Sequence, residues 1–266
     1  MIHDQHIHTS YSRDSKVPID EYYKIASDMG CKYFICTDHI EFMSCYNHID
    51  WTVDYENQDK DLERLGKLYP NVIPLKGIEM GYRKDQLQRM KDLMASREFD
   101  LVNMSIHDTE EIDYYFVEHF KEHGLLETLD IYFNNMIDGL ETWDDFNVLS
   151  HFDYGFKTAY LIDNSLRVSK FEDYLKKIFG LLISKKKALE INIKVQETIN
   201  DIEHTKYFLN LYKSLGGERI TISSDAHSAD AYLKNFDKYA KIAKECGFLE
   251  LCYYVKRVEY RYKIIQ

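Results

Sequence analysis

Nine histidines, aspartates and glutamates recur at one kind of place in this sequence: His6 and His8 in "HDQHIHTS", Asp38 and His39 in "CTDHIE", Glu79 in "GIEMG", His107 in "SIHD", His151 in "SHFD", and Asp225 and His227 in "SSDAH". Neutral imidazole and carboxylate together suit Zn, Fe or Mn. No cysteine is clustered with them, as a structural thiolate zinc site would require. The spacing also has a geometric meaning. In an extended chain residues i and i+2 project to the same side, so His6 and His8 can present two imidazoles to one ion, and Asp225 and His227 can serve one ion or two neighbours. The chemistry open to such a set is metal-assisted hydrolysis, in which bound cations generate a water nucleophile and neutralise developing charge.

These residues need a scaffold that brings distant segments together. Short apolar runs fall near residues 2–6, 33–37, 72–79, 101–106, 147–152, 188–193 and 219–224, with amphipathic stretches between them. "PIDEYYKIASDMG" opens on Pro18 and stops at Gly30, both helix-boundary residues, and "KFEDYLKKIFGLLISKKK" and "DAYLKNFDKYAKIAKECG" carry apolar residues at helical spacing. Repeated strand-then-helix units predict an α/β fold with parallel strands, closed into a barrel or opened into a doubly wound sheet. Every one of the nine residues lies at the C-terminal end of a candidate strand. In a parallel α/β barrel those ends share one face, so positions more than 200 residues apart converge on one cavity. His3, His48, His119, His123 and His204 lie off this phase and are expected to be ordinary polar residues.

Between about 108 and 147, "EIDYYFVEHFKEHG" and "LLETLDIYFNNMIDGLE" predict two successive helices, an insertion after the fourth strand long enough to cover a barrel mouth as a lid. No Gly-, Ser- or Pro-rich linker divides the chain, which is expected to form a single domain over 1–266. A net charge of −11 argues against a nucleic-acid or anionic-membrane partner. Five cysteines with no C-x-x-C pair suit reduced thiols. With no long apolar span and no signal-peptide pattern, a cytoplasmic protein is expected.

Taken in order, H-x-H-T, T-D-H, G-I-E, S-I-H, H-F-D and S-D-A-H resemble the motifs of the polymerase and histidinol phosphatase (PHP) superfamily, over essentially the whole chain. "SIHDTEEIDYYF", "SHFDYGFK" and "LEIN" are similar to its monofunctional histidinol-phosphatase branch, which serves histidine biosynthesis. The resemblance implies a distorted (β/α)7 barrel holding three divalent metal ions, Zn, Fe or Mn. It places one ion at His6, His8, Glu79 and Asp225, a second at Glu79, His107 and His151, and a third at Asp14, His39 and His227. Asp14 stands where some relatives carry histidine, and Asp108 stands where relatives often have an aromatic or aliphatic residue.

The implied reaction is hydrolysis of L-histidinol phosphate, a small-molecule phosphate monoester, to L-histidinol and inorganic phosphate. Asp38 is read as a carboxylate standing behind a ligating imidazole or handling a proton. Arg13 and Lys157 are candidate phosphate contacts. Two other readings compete: a phosphoesterase acting on a nucleotide, phosphotyrosine or an oligonucleotide end, and a noncatalytic metal-binding regulatory module. A nucleophilic serine is disfavoured, since Ser10, Ser105, Ser223 and Ser224 sit in no G-x-S-x-G elbow.

Overall fold

Strand and helix alternate through the computed structural model, which describes residues 3–264. The elements are α1 (Ile19–Asp28), β1 (Tyr33–Cys36), β2 (His39–Ile40), α2 (Tyr55–Leu68), β3 (Ile73–Gly81), α3 (Leu87–Ser96), β4 (Leu101–Ser105), α4 (Val117–His123), α5 (Leu125–Thr142), β5 (Val148–Leu149), α6 (Tyr154–Ile162), α7 (Glu172–Ser184), β6 (Ala188–Asn192), α8 (Ile193–Ile199), α9 (Ile202–Ser214), β7 (Ile220–Ser223), α10 (Phe236–Glu245), β8 (Glu250–Val255) and β9 (Val258–Lys263). The strands β1, β3, β4, β5, β6 and β7 pair in that order, all parallel, and β2 continues the course of β1 alongside β3. The segment around Ile7 fills the gap between β1 and β7. Thr37 N–H donates to the Ile7 carbonyl at 3.0 Å, His8 N–H to that of Ala226 at 2.9 Å, and Asp225 N–H to that of His6 at 2.9 Å. This closure makes the distorted (β/α)7 barrel, and it puts His6 and His8 between the ends of β1 and β7.

The first strand differs from expectation. Residue 2 lies outside the described residues, and the rest of the segment contributes one parallel bridge, Ile7 to Ala226. Side chains replace the ladder there. The Asp4 carboxylate accepts Ser224 N–H at 3.1 Å, and Asn103 donates to the Gln5 carbonyl at 3.1 Å. The Gln5 amide binds both the N–H and the carbonyl of Tyr254, at 2.7 and 2.8 Å. Tyr254 belongs to the antiparallel β8–β9 hairpin, which the sequence pattern does not announce. Its turn residues, Lys256 (φ 51°) and Arg257 (φ 64°), both take the left-handed conformation of a tight hairpin without the usual Asn or Gly signal. Cys252 and Tyr254 of this hairpin pack on Ile35, Leu75, Leu101, Val148 and Ala188, closing the barrel at the end opposite the site.

The expected lid also resolves differently. Thr109 N–H donates to the Ile112 carbonyl and Tyr114 N–H to that of His107, so residues 108–114 form a tight hairpin and the helix begins only at Val117. Helix α5 buries Leu129, Tyr132, Phe133, Met136 and Leu140 in the main core, acting as the crossover helix from β4 to β5. It covers the sheet's flank, and residues 108–116 alone approach the mouth. Near the C-terminus, Leu233 and Asn235 at φ 60° delay the last helix to Phe236. Among the described residues, no helix is long and apolar enough to cross a membrane. All five cysteines are unpaired.

His3 is stacked on Tyr253 at 4.0 Å with Tyr33 and Tyr262 around it, and among the described residues neither ring nitrogen has a hydrogen-bond partner. Burial, helped by nearby positive charge, pushes its pKa from 6.5 down to about 4. Between those values the unfolded chain binds a proton that the folded one refuses, so His3 costs stability as pH falls through that window, up to about 3 kcal/mol by pH 4. His3→Phe is expected to remove this loss. Melting curves at pH 7 and pH 4.5 should show a smaller acid shift for the variant, and an equal shift would refute the assignment.

Candidate metal centre

The barrel places its ligand-type side chains by register. His39 of β2 pairs directly with Glu79 of β3, so both reach the cavity at the same height. Ile7, between His6 and His8, points the other way into a core with Ile19, Tyr22 and Phe34. His151 (φ 22°) and Asp225 (φ 51°) sit in the left-handed region, a strained backbone for residues with a side chain, where the strands turn their last residues inward.

Glu79 is the hub. Its carboxylate lies 3.0 Å from His6 Nε2, 3.2 Å from His8 Nε2, 3.2 Å from His39 Nδ1, 3.4 Å from His107 Nε2 and 2.8 Å from His151 Nε2. Ser105 Oγ donates to the same carboxylate. Asp225 Oδ1 lies 3.2 Å from His8 Nε2 and 3.4 Å from His227 Nδ1. Asp14 Oδ2 closes the outer edge, 2.8 Å from His227 Nε2 and 3.3 Å from His39 Nε2. Thus His6, His8, Asp14, His39, Glu79, His107, His151, Asp225 and His227 are brought to one place. Their ligand atoms fall into overlapping groups, each spanning no more than 4.8 Å: His8, Asp14, His39 and His227; His6, His8 and Glu79; His6, His151 and Asp225; and His39, Glu79 and His107.

Asp38, Arg13 and Lys157 stand apart from this cluster. Neighbouring residues of an extended chain face opposite ways, so Asp38 turns from the His39 ring. It accepts Thr9 N–H and Oγ1 at 2.6 and 2.8 Å and Gln58 Nε2 at 2.7 Å, pinning the loop after His8. This corrects the expectation that it backs an imidazole. Arg13 is exposed, its guanidinium 5.6 Å from the Trp51 ring centre. Lys157 lies with its Nζ 3.9 Å over the Tyr154 ring, where burial, then Lys194, push its pKa down to about 8.

The carboxylates behind the imidazoles are Glu190 and Glu41, which sequence reasoning missed. His6 Nδ1 donates to Glu190 at 2.7 Å, and Glu190 also accepts His151 N–H at 2.7 Å and Asn192 Nδ2 at 3.0 Å. His107 Nδ1 donates to Glu41 at 2.6 Å. Each contact fixes a tautomer and leaves Nε2 facing the centre. The available signals are an acid inside the apolar run "ALEINI" and an acid two residues beyond His39. Gly81 makes room for Glu41, since a Cβ there would lie 1.6 Å from Glu41 Oε2. Lys194, the second residue of α8, was also missed. Its Nζ lies 3.0 Å from His227 Nδ1 and 3.6 Å from Asp225 Oδ1.

The electrostatics call for cations. Glu41, Glu79, Glu190, Asp14 and Asp225 bring five carboxylates, against which, among the described residues, Lys194 is the cation in contact with the cluster. Burial disfavours the Glu79 carboxylate, yet His39, His6 and His107 hold its pKa well below 4.5. Burial alone would lower the pKa of His6; Glu79, Glu190 and Asp225 instead raise it well above 6.5. At its side burial, with His227 and His39, pushes His8 down to about 4. Close as they lie, His6 Nε2, His8 Nε2, His39 Nδ1 and Glu79 Oε2 are buried and, among the described residues, make no hydrogen bond of proper geometry. Four orphaned atoms aimed at one another would be costly in a purely structural cluster. The all-nitrogen-and-oxygen donor set fits divalent Zn, Fe or Mn.

The cluster forms the floor of a cavity of about 470 Å³ whose walls include Tyr46, Trp51, Tyr115, Phe116 and Tyr154, with Lys194 on the rim.

The PHP domain model matches residues 4–194. The chain is 28% identical over 264 residues to a probable histidinol-phosphatase of Clostridium acetobutylicum, covering 97% of this chain and 98% of the relative. It is 26% identical over 254 residues to the histidinol-phosphatase of Lactococcus lactis, covering 93% and 92%. Among solved structures, histidinol phosphate phosphatase from Lactococcus lactis, complexed with Zn, L-histidinol and phosphate, superposes with a TM-score of 0.87 at 24% identity, covering 97% of this chain and 98% of that one.

Proposed function

Because the chain belongs to the PHP domain family, we propose that it is a metal-dependent phosphomonoesterase that hydrolyses L-histidinol phosphate to L-histidinol and inorganic phosphate in the cytoplasm. The observation that carries this reading is the Glu79 carboxylate within 3.4 Å of five imidazoles at the base of an open cavity. The end-to-end similarity to histidinol-phosphatases supports the substrate.

Three divalent ions are assigned to the donors: His6, His8, Glu79 and Asp225 for one; Glu79, His107 and His151 for another; Asp14, His39 and His227 for the third. When bound, such ions supply a water nucleophile at neutral pH and neutralise the phosphoryl oxygens. The chain's own contribution is geometry and charge. Glu190 and Glu41 keep the Nδ1 protons of His6 and His107 away from the centre. Asp38 anchors Thr9, which fixes the exit from the H-x-H segment. Lys194, on the cavity rim, is assigned to the phosphoryl group, with Lys157 behind it as a second positive charge. Trp51 and Tyr154 wall the reacting end from bulk water.

A panel of metal-loaded assays tests the substrate, with L-histidinol phosphate, a nucleoside monophosphate, phosphotyrosine and a short single-stranded DNA compared by kcat/KM. L-Histidinol phosphate is expected to lead, and preference for nucleotide or DNA ends would overturn the choice. Lys194→Met should lower kcat/KM about 10- to 100-fold, the value of a hydrogen bond to a charged group. It should also weaken inhibition by inorganic phosphate. An unchanged phosphate inhibition constant would remove Lys194 from the phosphoryl site.

A further inference from the structure

The cavity above the metal-type cluster has a second acidic feature that the phosphoryl chemistry does not use. Three carboxylates other than the assigned ligands face it, those of Glu41, Asp108 and Asp113. Two are already engaged. Glu41 holds His107, while Asp108 accepts Cys45 N–H at 2.6 Å and lies 3.3 Å from Arg83 Nη1. Asp113 is different. One of its oxygens accepts Tyr115 N–H at 2.9 Å; among the described residues no hydrogen bond or ion pair reaches the other.

Its position is built rather than incidental. The tight hairpin after β4 sets Asp113 opposite Asp108 in an isolated bridge, and the hydrogen bond from Tyr114 N–H to the His107 carbonyl at 2.9 Å ties it beside a metal-type residue. His119 Nδ1 accepts Asp113 N–H at 2.7 Å, holding the turn from the helical side. The same turn projects Tyr115 and Phe116 into the cavity wall, and Phe116 stacks on Tyr46 of the facing loop at 5.4 Å and 19°. A half-free carboxylate beside aromatic rings is a receptor for a cation, through charge pairing and the negative ring faces.

We propose that Asp113 is a specificity-determining residue that receives the positively charged end of the leaving alcohol, with Tyr46, Tyr115 and Phe116 covering it. This rests on the proposed phosphatase reading and adds to it: the cavity selects phosphate monoesters of cationic alcohols over those of neutral ones. The cluster end takes the phosphate dianion and the Asp113 end takes the cation, so a substrate carrying both charges is oriented along the cavity.

The test compares L-histidinol phosphate with p-nitrophenyl phosphate, whose leaving group is neutral before reaction, in metal-loaded wild type and Asp113→Asn. Asparagine keeps an oxygen for Tyr115 N–H and removes the charge. The ratio of kcat/KM for the two substrates is expected to fall about 10- to 100-fold in favour of the aryl ester, mainly through KM for L-histidinol phosphate. Asp113→Glu, which keeps the charge, should recover part of that ratio. An unchanged ratio in Asp113→Asn, or an equal loss on both substrates, would overturn the role of Asp113 while leaving the phosphatase reading intact. A wild type inert toward L-histidinol phosphate but active on the aryl ester would instead remove the proposed substrate, and this assignment with it.

Discussion

Glu79→Ala is expected to reduce turnover of L-histidinol phosphate by at least about a thousandfold, and to lower the bound metal content in the same sample. The size follows from the several kilocalories that metal ions contribute to transition-state charge, each 1.36 kcal/mol being about tenfold in rate. The structure makes Glu79 the shared neighbour of His6, His8, His39, His107 and His151, so its loss removes a donor from more than one group at once. Elemental analysis after gel filtration, with kinetics on the same preparation, checks both parts. Full metal content in the variant would contradict its shared role. Circular dichroism separates this from unfolding, because deleting a buried carboxylate among imidazoles leaves the apolar layers of the barrel in place.

The second large effect is expected from metal removal. Protein demetallated with a strong chelator should lose L-histidinol phosphate hydrolysis to the limit of detection and regain it on adding a divalent ion. Its melting temperature should fall, since a ligand present at a thousand times its dissociation constant stabilises the fold by about 4 kcal/mol. Restoration should also be pH-dependent. The imidazoles must be deprotonated to bind an ion, and burial, which alone would lower the pKa of His6 and His107, is outweighed by neighbouring carboxylates that raise both, the latter to about 10. Reloading is therefore expected to weaken as pH falls. Hydrolysis that persists undiminished in metal-free protein would exclude the mechanism. Glu190→Gln offers a graded version, with an affinity loss of about 10- to 100-fold overcome by excess metal, because the amide still accepts from His6 Nδ1 but carries no charge.

Much of the centre is legible in the amino-acid sequence because parallel strands impose a phase. A ligand at the C-terminal end of each strand must face the same rim, and His6-x-His8 must present both rings to one side. Where sequence and fold part company, the cause is local geometry. Asp38 is next to His39 in the chain, yet adjacency in an extended segment means opposite faces, and Thr9 is its partner. Glu190 sits inside a strand rather than at its end, so the strand-end phase that marks the other acids does not mark this one. The β8–β9 hairpin turns on Lys256 and Arg257, residues with no turn signature, whose backbone N–H groups are held by the Asp100 carboxylate and carbonyl, each at 2.8 Å. The helix expected from Glu111 begins at Val117 because Thr109 and Asp113 side chains capture the backbone of the preceding turn. That displaced hairpin is also what brings Asp113 to the cavity.

Anomalous diffraction from crystals of the zinc-loaded protein would locate the ions relative to Glu79. Peaks are expected enclosed by His6, His8, Glu79, His107, His151 and Asp225 and by Asp14, His39 and His227, at zinc-to-donor distances of about 2.0–2.2 Å. Peaks confined to surface histidines such as His48 or His123, with none touching Glu79, would contradict the metal assignment.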